Sequence, residues 1–234
     1  MTGTIINVIA ILLGSTLGIF FGSRLPERLK NTVTAGLGLF TFALGISMFL
    51  KSEEVLIVLG GLLIGAVLGE WWQIEEGLAN LGAWLESRFS NGNNSVEESN
   101  RFIRGFLIAS LLFCIGPLAI LGAIQDGLVG DYNLLAVKSV LDAFASLAFA
   151  SMLGVGVAFS ALAVLIYQGS ISLLAAQLNS IVTEPMMTEM TAVGGVILVG
   201  LALSSLLEIK KIRVGSFLPA LFVTPLIVYI LSLF

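Results

Sequence analysis

Long apolar runs alternate with short polar breaks along the chain. Eight runs suit a bilayer, at about residues 4–22, 33–50, 55–72, 102–124, 134–153, 156–176, 191–207 and 216–233. A helix needs about 20 apolar residues to cross a hydrocarbon core about 30 Å thick. Their length and continuous apolarity predict helices rather than strands. The fifth and sixth runs are separated only by Gly154 and Gly156, so hydropathy alone also admits seven spans. Loop charge favours eight, because positive residues gather in cytoplasmic loops. With the N-terminus outside, eight spans place Arg24, Arg28, Lys30, Arg88, Arg101, Arg104, Lys210, Lys211 and Arg213 in the cytoplasm, and only Lys51 outside. Seven spans would put the last cluster on the wrong side. Both termini are therefore expected outside. The first run has no basic leader and no small-residue cleavage site, so it reads as a retained helix rather than a signal peptide.

Residues 73–90 follow another pattern. Ile74, Leu78, Leu81, Leu85 and Phe89 recur at helical spacing, Glu75, Glu76, Glu86 and Arg88 take the other faces, and Trp71, Trp72 and Trp84 lie nearby. This predicts a cytoplasmic interfacial helix with an aromatic belt. Asn91-Gly92-Asn93-Asn94 reads as a turn, and Ser95-x-x-Glu98 as a capping box for the next helix.

Residues 34–50 align without gaps on 191–207, sharing Thr34/Thr191, Ala35/Ala192, Gly38/Gly195, Leu44/Leu201, Ser47/Ser204 and Leu50/Leu207. With two residues inserted, Gly14-Ser15 also corresponds to Gly169-Ser170. Units so paired are five spans apart, hence of opposite orientation, and the charges of their loops invert accordingly. Apolar sequence also matches itself by composition. The expected organisation is an all-α polytopic membrane helix bundle, one transmembrane domain over 1–234. It comprises a first repeat unit (3–72), the interfacial helix and loop (73–100), a central helix pair (101–154) and a second, inverted unit (156–233). Inverted repeats are common in secondary transporters.

Composition sharpens the class. Hydrophobic residues make up 57% of the chain and charged residues 11%, against about 25% charged in soluble domains, so the lipid bilayer is the expected surrounding. The absence of histidine excludes His-based triads, proton shuttles and metal sites. A single cysteine, Cys114, excludes an intrachain disulfide and four-cysteine metal centres. A net charge of −4 leaves no nucleic-acid footprint. Neither a cofactor nor an enzymatic activity is expected.

Small residues mark close-packing faces: Gly14, Gly18 and Gly22 in the first span, and Gly61, Gly65 and Gly69 in the third. Spacing of four places each set on one face, where backbones approach. Bundle packing, a sliding surface and a homo-oligomer seam all fit. A second small face, Ser139, Ala143, Ser146, Ala150 and Gly154, lies on the fifth span.

The candidate chemistry is intramembrane. A charged residue inside a span costs about 2.5–3.5 kcal/mol on insertion scales. Lys138 and Asp142, one turn apart in the fifth span, are placed to pair, about 6 and 12 Å below the outer end. They read either as a structural staple or as a site where Asp142 meets a cation or proton and Lys138 is the displaced counter-charge. Ser146 continues the same face. In the fourth span, Gly116-Pro117 breaks the helix and frees a carbonyl near residue 113. Gln125 and Asp126 follow at the outer mouth, close to Lys138 if the fourth and fifth spans form a tight hairpin. The outer loops hold Glu53, Glu54, Asp126, Asp131, Glu184 and Glu189 against Lys51, a face that would gather cations or merely be solvated. Asn7, Ser15, Gln168 and Asn179 are uncharged polar residues in or beside spans, lining a path or joining helices.

The segment Gly116-Pro117-Leu118-Ala119-Ile120-Leu121-Gly122, then Gln125-Asp126-Gly127-Leu128, then Lys138-Ser139-x-x-Asp142-Ala143-Phe144-Ala145-Ser146 resembles the YqgA/YdfK-type bacterial inner-membrane proteins, a domain of unknown function. The opening Gly3-Thr4-x-x-Asn7 and Gly69-Glu70 share the resemblance, which covers essentially the whole chain. It implies a multi-spanning protein of the bacterial cytoplasmic membrane, with no established substrate. Asp142-Ala143-Phe144-Ala145 is also similar to an intramembrane motif of manganese exporters, which implies that Asp142 could meet a cation. The leading expectation is a transporter or channel for a small, cationic solute, using Asp142, Lys138, Asp126, Gln125, Gly116, Pro117 and Ser146. The alternative is a non-transporting scaffold or regulator assembled through its glycine faces.

Overall fold

A computed structural model describes residues 1–22, 26–89, 96–179 and 181–233. Arg24, the 91–94 turn and the start of the capping box at Ser95 lie outside these. The described residues are helical, without strands. The elements are α1 (Thr2–Gly22), α2 (Glu27–Phe49), α3 (Val55–Trp71), α4 (Ile74–Phe89), α5 (Val96–Cys114), α6 (Pro117–Val129), α7 (Asn133–Leu153), α8 (Gly156–Leu173), α9 (Ala175–Asn179), α10 (Glu184–Leu201) and α11 (Ala220–Leu231). Among the described residues six helical segments are long and apolar enough to cross a membrane, or up to eight if the bent pairs α3 with α4 and α5 with α6 each count as one span. Their outward side chains are apolar: Leu13, Phe40, Leu56, Val67, Phe144 and Phe222 are each at least 60% exposed. Such a surface suits lipid rather than water.

The boundaries have local causes. Gly154, at φ 78° and ψ −153°, occupies backbone space open essentially to glycine alone. It ends α7 where hydropathy shows no break. Gly116 is extended and Pro117 opens α6, where a missing N–H costs nothing. The fourth apolar run is thus two helices bent by 63°. The seventh was expected from 191, but α10 starts at Glu184, with Pro185 in its first turn. It ends in a π-helical turn, Ala202–Leu206. Ser204 then closes the following loop, its Oγ donating to the Ile212 carbonyl and accepting from the Ile212 N–H, both 3.1 Å.

The chain forms two compact units, residues 1–34 with 79–181, and residues 35–78 with 182–234. In the first, α1 lies along α7. A Cβ added at Gly14, Gly18 or Gly22 would stand 2.2–2.3 Å from the carbonyl oxygens of Ala143, Leu147 and Ser151 respectively. Residue numbers rise together along this seam, so the two helices are parallel. Gly156 meets Phe102 at one end of α8, and Gly127 meets Ser172 at the other. The α5–α6 pair therefore runs parallel to α8 as one broken span. In the second unit Gly61, Gly65 and Gly69 seat on Thr224, Ala220 and Ser216, making α3 and α11 antiparallel. Gly45 and Gly195 meet reciprocally, and Gly38 meets Leu206 and Leu207, making α2 and α10 antiparallel. Within each unit these directions agree with spans that alternate along the chain. Both glycine faces are filled within the chain.

Carboxylates hold helix N-termini in both units. Glu189, 2% exposed, accepts from Ser52 Oγ (2.6 Å), Glu53 N (2.9 Å) and Glu54 N (3.0 Å) at the start of α3. Asp126 Oδ2 accepts from Gly3 N, and from the Met1 amino group, at the start of α1, both 3.0 Å. Negative charge is stabilised there by the helix dipole and free amides. These two acids therefore do not belong to a solvated outer face. Glu189→Ala is expected to cost about 2 kcal/mol and Glu189→Gln about half, read as graded losses of melting temperature in detergent.

Candidate functional site

Four buried polar side chains meet inside the first unit. Lys138 and Asp142 lie one turn apart on α7, and Lys138 Nζ donates to Asp142 Oδ2. Asn7, from α1, donates its Nδ2 to the same oxygen at 3.0 Å and to Gln168 Oε1, from α8, at 3.3 Å. Asn7 and Gln168 are fully buried, while Lys138 and Asp142 are 6% and 7% exposed. Asp142 is the tenth of 21 residues of α7, about 14 Å from its start. That is close to the middle of the span, too deep for its short side chain to reach an interface.

The helix break abuts this pair. The Phe113 ring centroid is 5.9 Å from Lys138 Nζ, and Phe113 and Cys114 form the last turn of α5. Pro117 lacks an N–H, so the Phe113 carbonyl has no i+4 backbone donor. The C-terminal end of a helix carries partial negative charge, so the cation sits where α5 and Asp142 both favour it.

The expected site is only partly assembled here. Lys138, Asp142, Gly116 and Pro117 belong to it, though Pro117 acts through the backbone it interrupts. Asp126 is occupied by the N-terminus of α1 rather than by Lys138, and Gln125 is exposed. Ser146 lies in the α1–α7 seam, its Oγ bonded to the Ala143 carbonyl at 2.9 Å and facing Gly14. Of Asn7 and Gln168, seen in the sequence only as polar residues within spans, Asn7 is a direct partner of the pair and Gln168 joins it through Asn7. Phe113 carries no sequence signal beyond apolarity. At the other end of α7, Arg101 Nε donates to the Met152 carbonyl at 2.9 Å, a cation at a helix C-terminus.

The fold and this site define a polytopic helical membrane protein with a buried charge pair at a broken span. Residues 2–229 match the family model described as "Protein of unknown function (DUF554)", and the chain belongs to that family. It is 33% identical over 238 residues to the uncharacterized membrane protein YdfK of Bacillus subtilis, covering 100% of this chain and 98% of that one. It is 33% identical over 219 residues to the uncharacterized protein YqgA of Escherichia coli, covering 94% and 92%. No solved structure matches the chain.

Proposed function

We propose that the protein is a transporter or channel for a small cationic solute, resident in the bacterial cytoplasmic membrane with both termini outside. The carrying observation is the Lys138–Asp142 pair, buried near mid-span beside the α5–α6 break. An ionisable pair is expensive there and is retained where it meets an ion or solute. Broken helices supply such sites, because the carbonyls and the negative end of a half-helix receive cations. Asp142 is the central ligand, and Lys138 occupies its place between turnovers.

Helix pairing supports an inverted repeat under this reading. The aligned spans pack antiparallel on one another: α1 on α8, α2 on α10 and α3 on α11. Gly38 contacts Leu206, and its aligned counterpart Gly195 contacts Phe49, the counterpart of Leu206. A local two-fold relation generates such reciprocity. Gly14, Gly18, Gly22, Gly61, Gly65 and Gly69 then serve as intramolecular seams rather than as an oligomer interface.

The test is charge movement and tracer flux in proteoliposomes, with monovalent and divalent cations, amino acids and polyamines offered in turn. Wild type is expected to move at least one cation, and Asp142→Asn, still monodisperse, to fall to the leak of protein-free vesicles. Full flux by Asp142→Asn would remove this residue from the pathway.

A further inference from the structure

The charge and ligand atoms around Asp142 narrow the solute. The pair comprises one carboxylate and one ammonium, and no group of three or more His, Cys, Asp or Glu among the described residues could hold a metal ion. The other polar atoms bonded into the site are neutral amides. Asn7 commits its Nδ2 to Asp142 and Gln168, while its Oδ1 is buried and unpartnered. One turn toward the N-terminus of α1 and the C-terminus of α8, Thr4 and Ser172 are also buried, each with an unpartnered hydroxyl. Because α1 and α8 are antiparallel, these two extend the Asn7–Gln168 level in one direction, toward the α1 N-terminus. In the other direction the Gly14–Gly18–Gly22 seam closes α1 backbone to backbone against α7. Buried unpartnered hydroxyls thus flank the pair along α1 on both sides, Thr4 toward its N-terminus and Ser15 toward its C-terminus.

We propose that the solute is a small monovalent cation bound through oxygen, that it displaces the Lys138 ammonium from Asp142, and that Asn7 Oδ1 is its neutral ligand. This rests on the transport reading above. The exchange leaves the buried charge unchanged because the long Lys138 side chain carries its ammonium outward along α7 as the cation enters. A divalent ion would then leave one positive charge in excess beside Asp142, and an uncompensated buried charge costs several kcal/mol. Carboxylate, carboxamide and carbonyl oxygens suit hard cations, whereas softer transition metals favour imidazole or thiolate. Rotation of the Asn7 amide turns its oxygen toward Asp142 when a cation lies there, and its N–H when Lys138 does.

Lys138→Met removes the tethered competitor and leaves Asp142 to recruit an ion. Its melting temperature would be measured in Li⁺, Na⁺, K⁺, Mg²⁺ and Mn²⁺ chlorides, against N-methylglucamine chloride at equal ionic strength. One alkali cation is expected to raise it by several degrees where wild type is unmoved. In flux assays the half-saturating concentration is expected to fall about tenfold in Lys138→Met, and Asn7→Ala to raise it about tenfold in the wild-type background. Asn7→Asp keeps Lys138 and adds a second carboxylate, so it is expected to shift preference toward divalent ions even where Lys138→Met does not fold. Preferential response of Lys138→Met, or of wild-type flux, to Mg²⁺ or Mn²⁺ would overturn the proposal, as would indifference to both Asn7 variants. Divalent flux abolished by Asp142→Asn would overturn this inference and leave the transport reading intact. Absence of any solute flux in wild type would overturn the transport reading instead.

Discussion

Lys138→Met, without an added binding cation, is expected to lower stability by about 3–5 kcal/mol, and adding Asp142→Leu to recover most of the loss. The asymmetry follows from the burial of both groups. Removing the ammonium leaves Asp142 with Asn7 Nδ2 as its remaining neutral donor, in surroundings where water cannot solvate the charge. Removing both charges deletes the desolvation cost together with the attraction, and two apolar side chains of similar length refill the space. A thiol-reactive dye can follow unfolding through Cys114, the single cysteine, which is partly buried at the end of α5. A single variant as stable as wild type would mean that the pair is not desolvated as described.

Gly18→Val is expected to be the most damaging of the small substitutions on α1, at about 3 kcal/mol. The nearest atom to its new Cβ would be the Leu147 carbonyl oxygen at 2.2 Å, with Leu147 C and Cα at 3.0 Å. All three are backbone, so no rotamer change relieves the contact, and α1 must move off α7. The control is Gly77→Ala, where an added Cβ meets nothing within 4 Å and the gain in helix propensity makes the change neutral or mildly stabilising. Equal melting temperatures for the two variants in detergent would contradict the tight seam.

Much of the architecture is legible in the linear pattern, because a bilayer demands long apolar helices and their ends carry glycine, proline and charge. Gly154 separates two spans that hydropathy merges, and Gly116-Pro117 marks the break that the structure makes complete. The errors have a common physical origin. Glu189 and Asp126 look like solvated loop acids because charge in a short connection normally faces water. Their partners are amides of other helices, 135 or more residues away for Glu189 and 123 for Asp126. The same long-range stabilisation of Glu189 accompanies the start of α10 seven residues earlier than apolarity suggests. Lys138 and Asp142 are visible as an i, i+4 pair on one helix. Asn7 and Gln168 contribute from α1 and α8, and only the tertiary register reveals that the Asn7 amide bridges Asp142 Oδ2 and Gln168 Oε1.

The parallel seam between α1 and α7 also has a consequence for synthesis. About 110 residues separate the end of α1 from the start of α7, so at roughly 5–20 residues per second the ribosome needs about 5–20 s to supply the partner. Throughout that interval Thr4, Asn7 and Ser15 lie on a membrane helix whose final neighbours have not been made. The nascent helix must therefore wait in the insertion machinery, or pair provisionally, before α7 and α8 arrive to enclose its polar face.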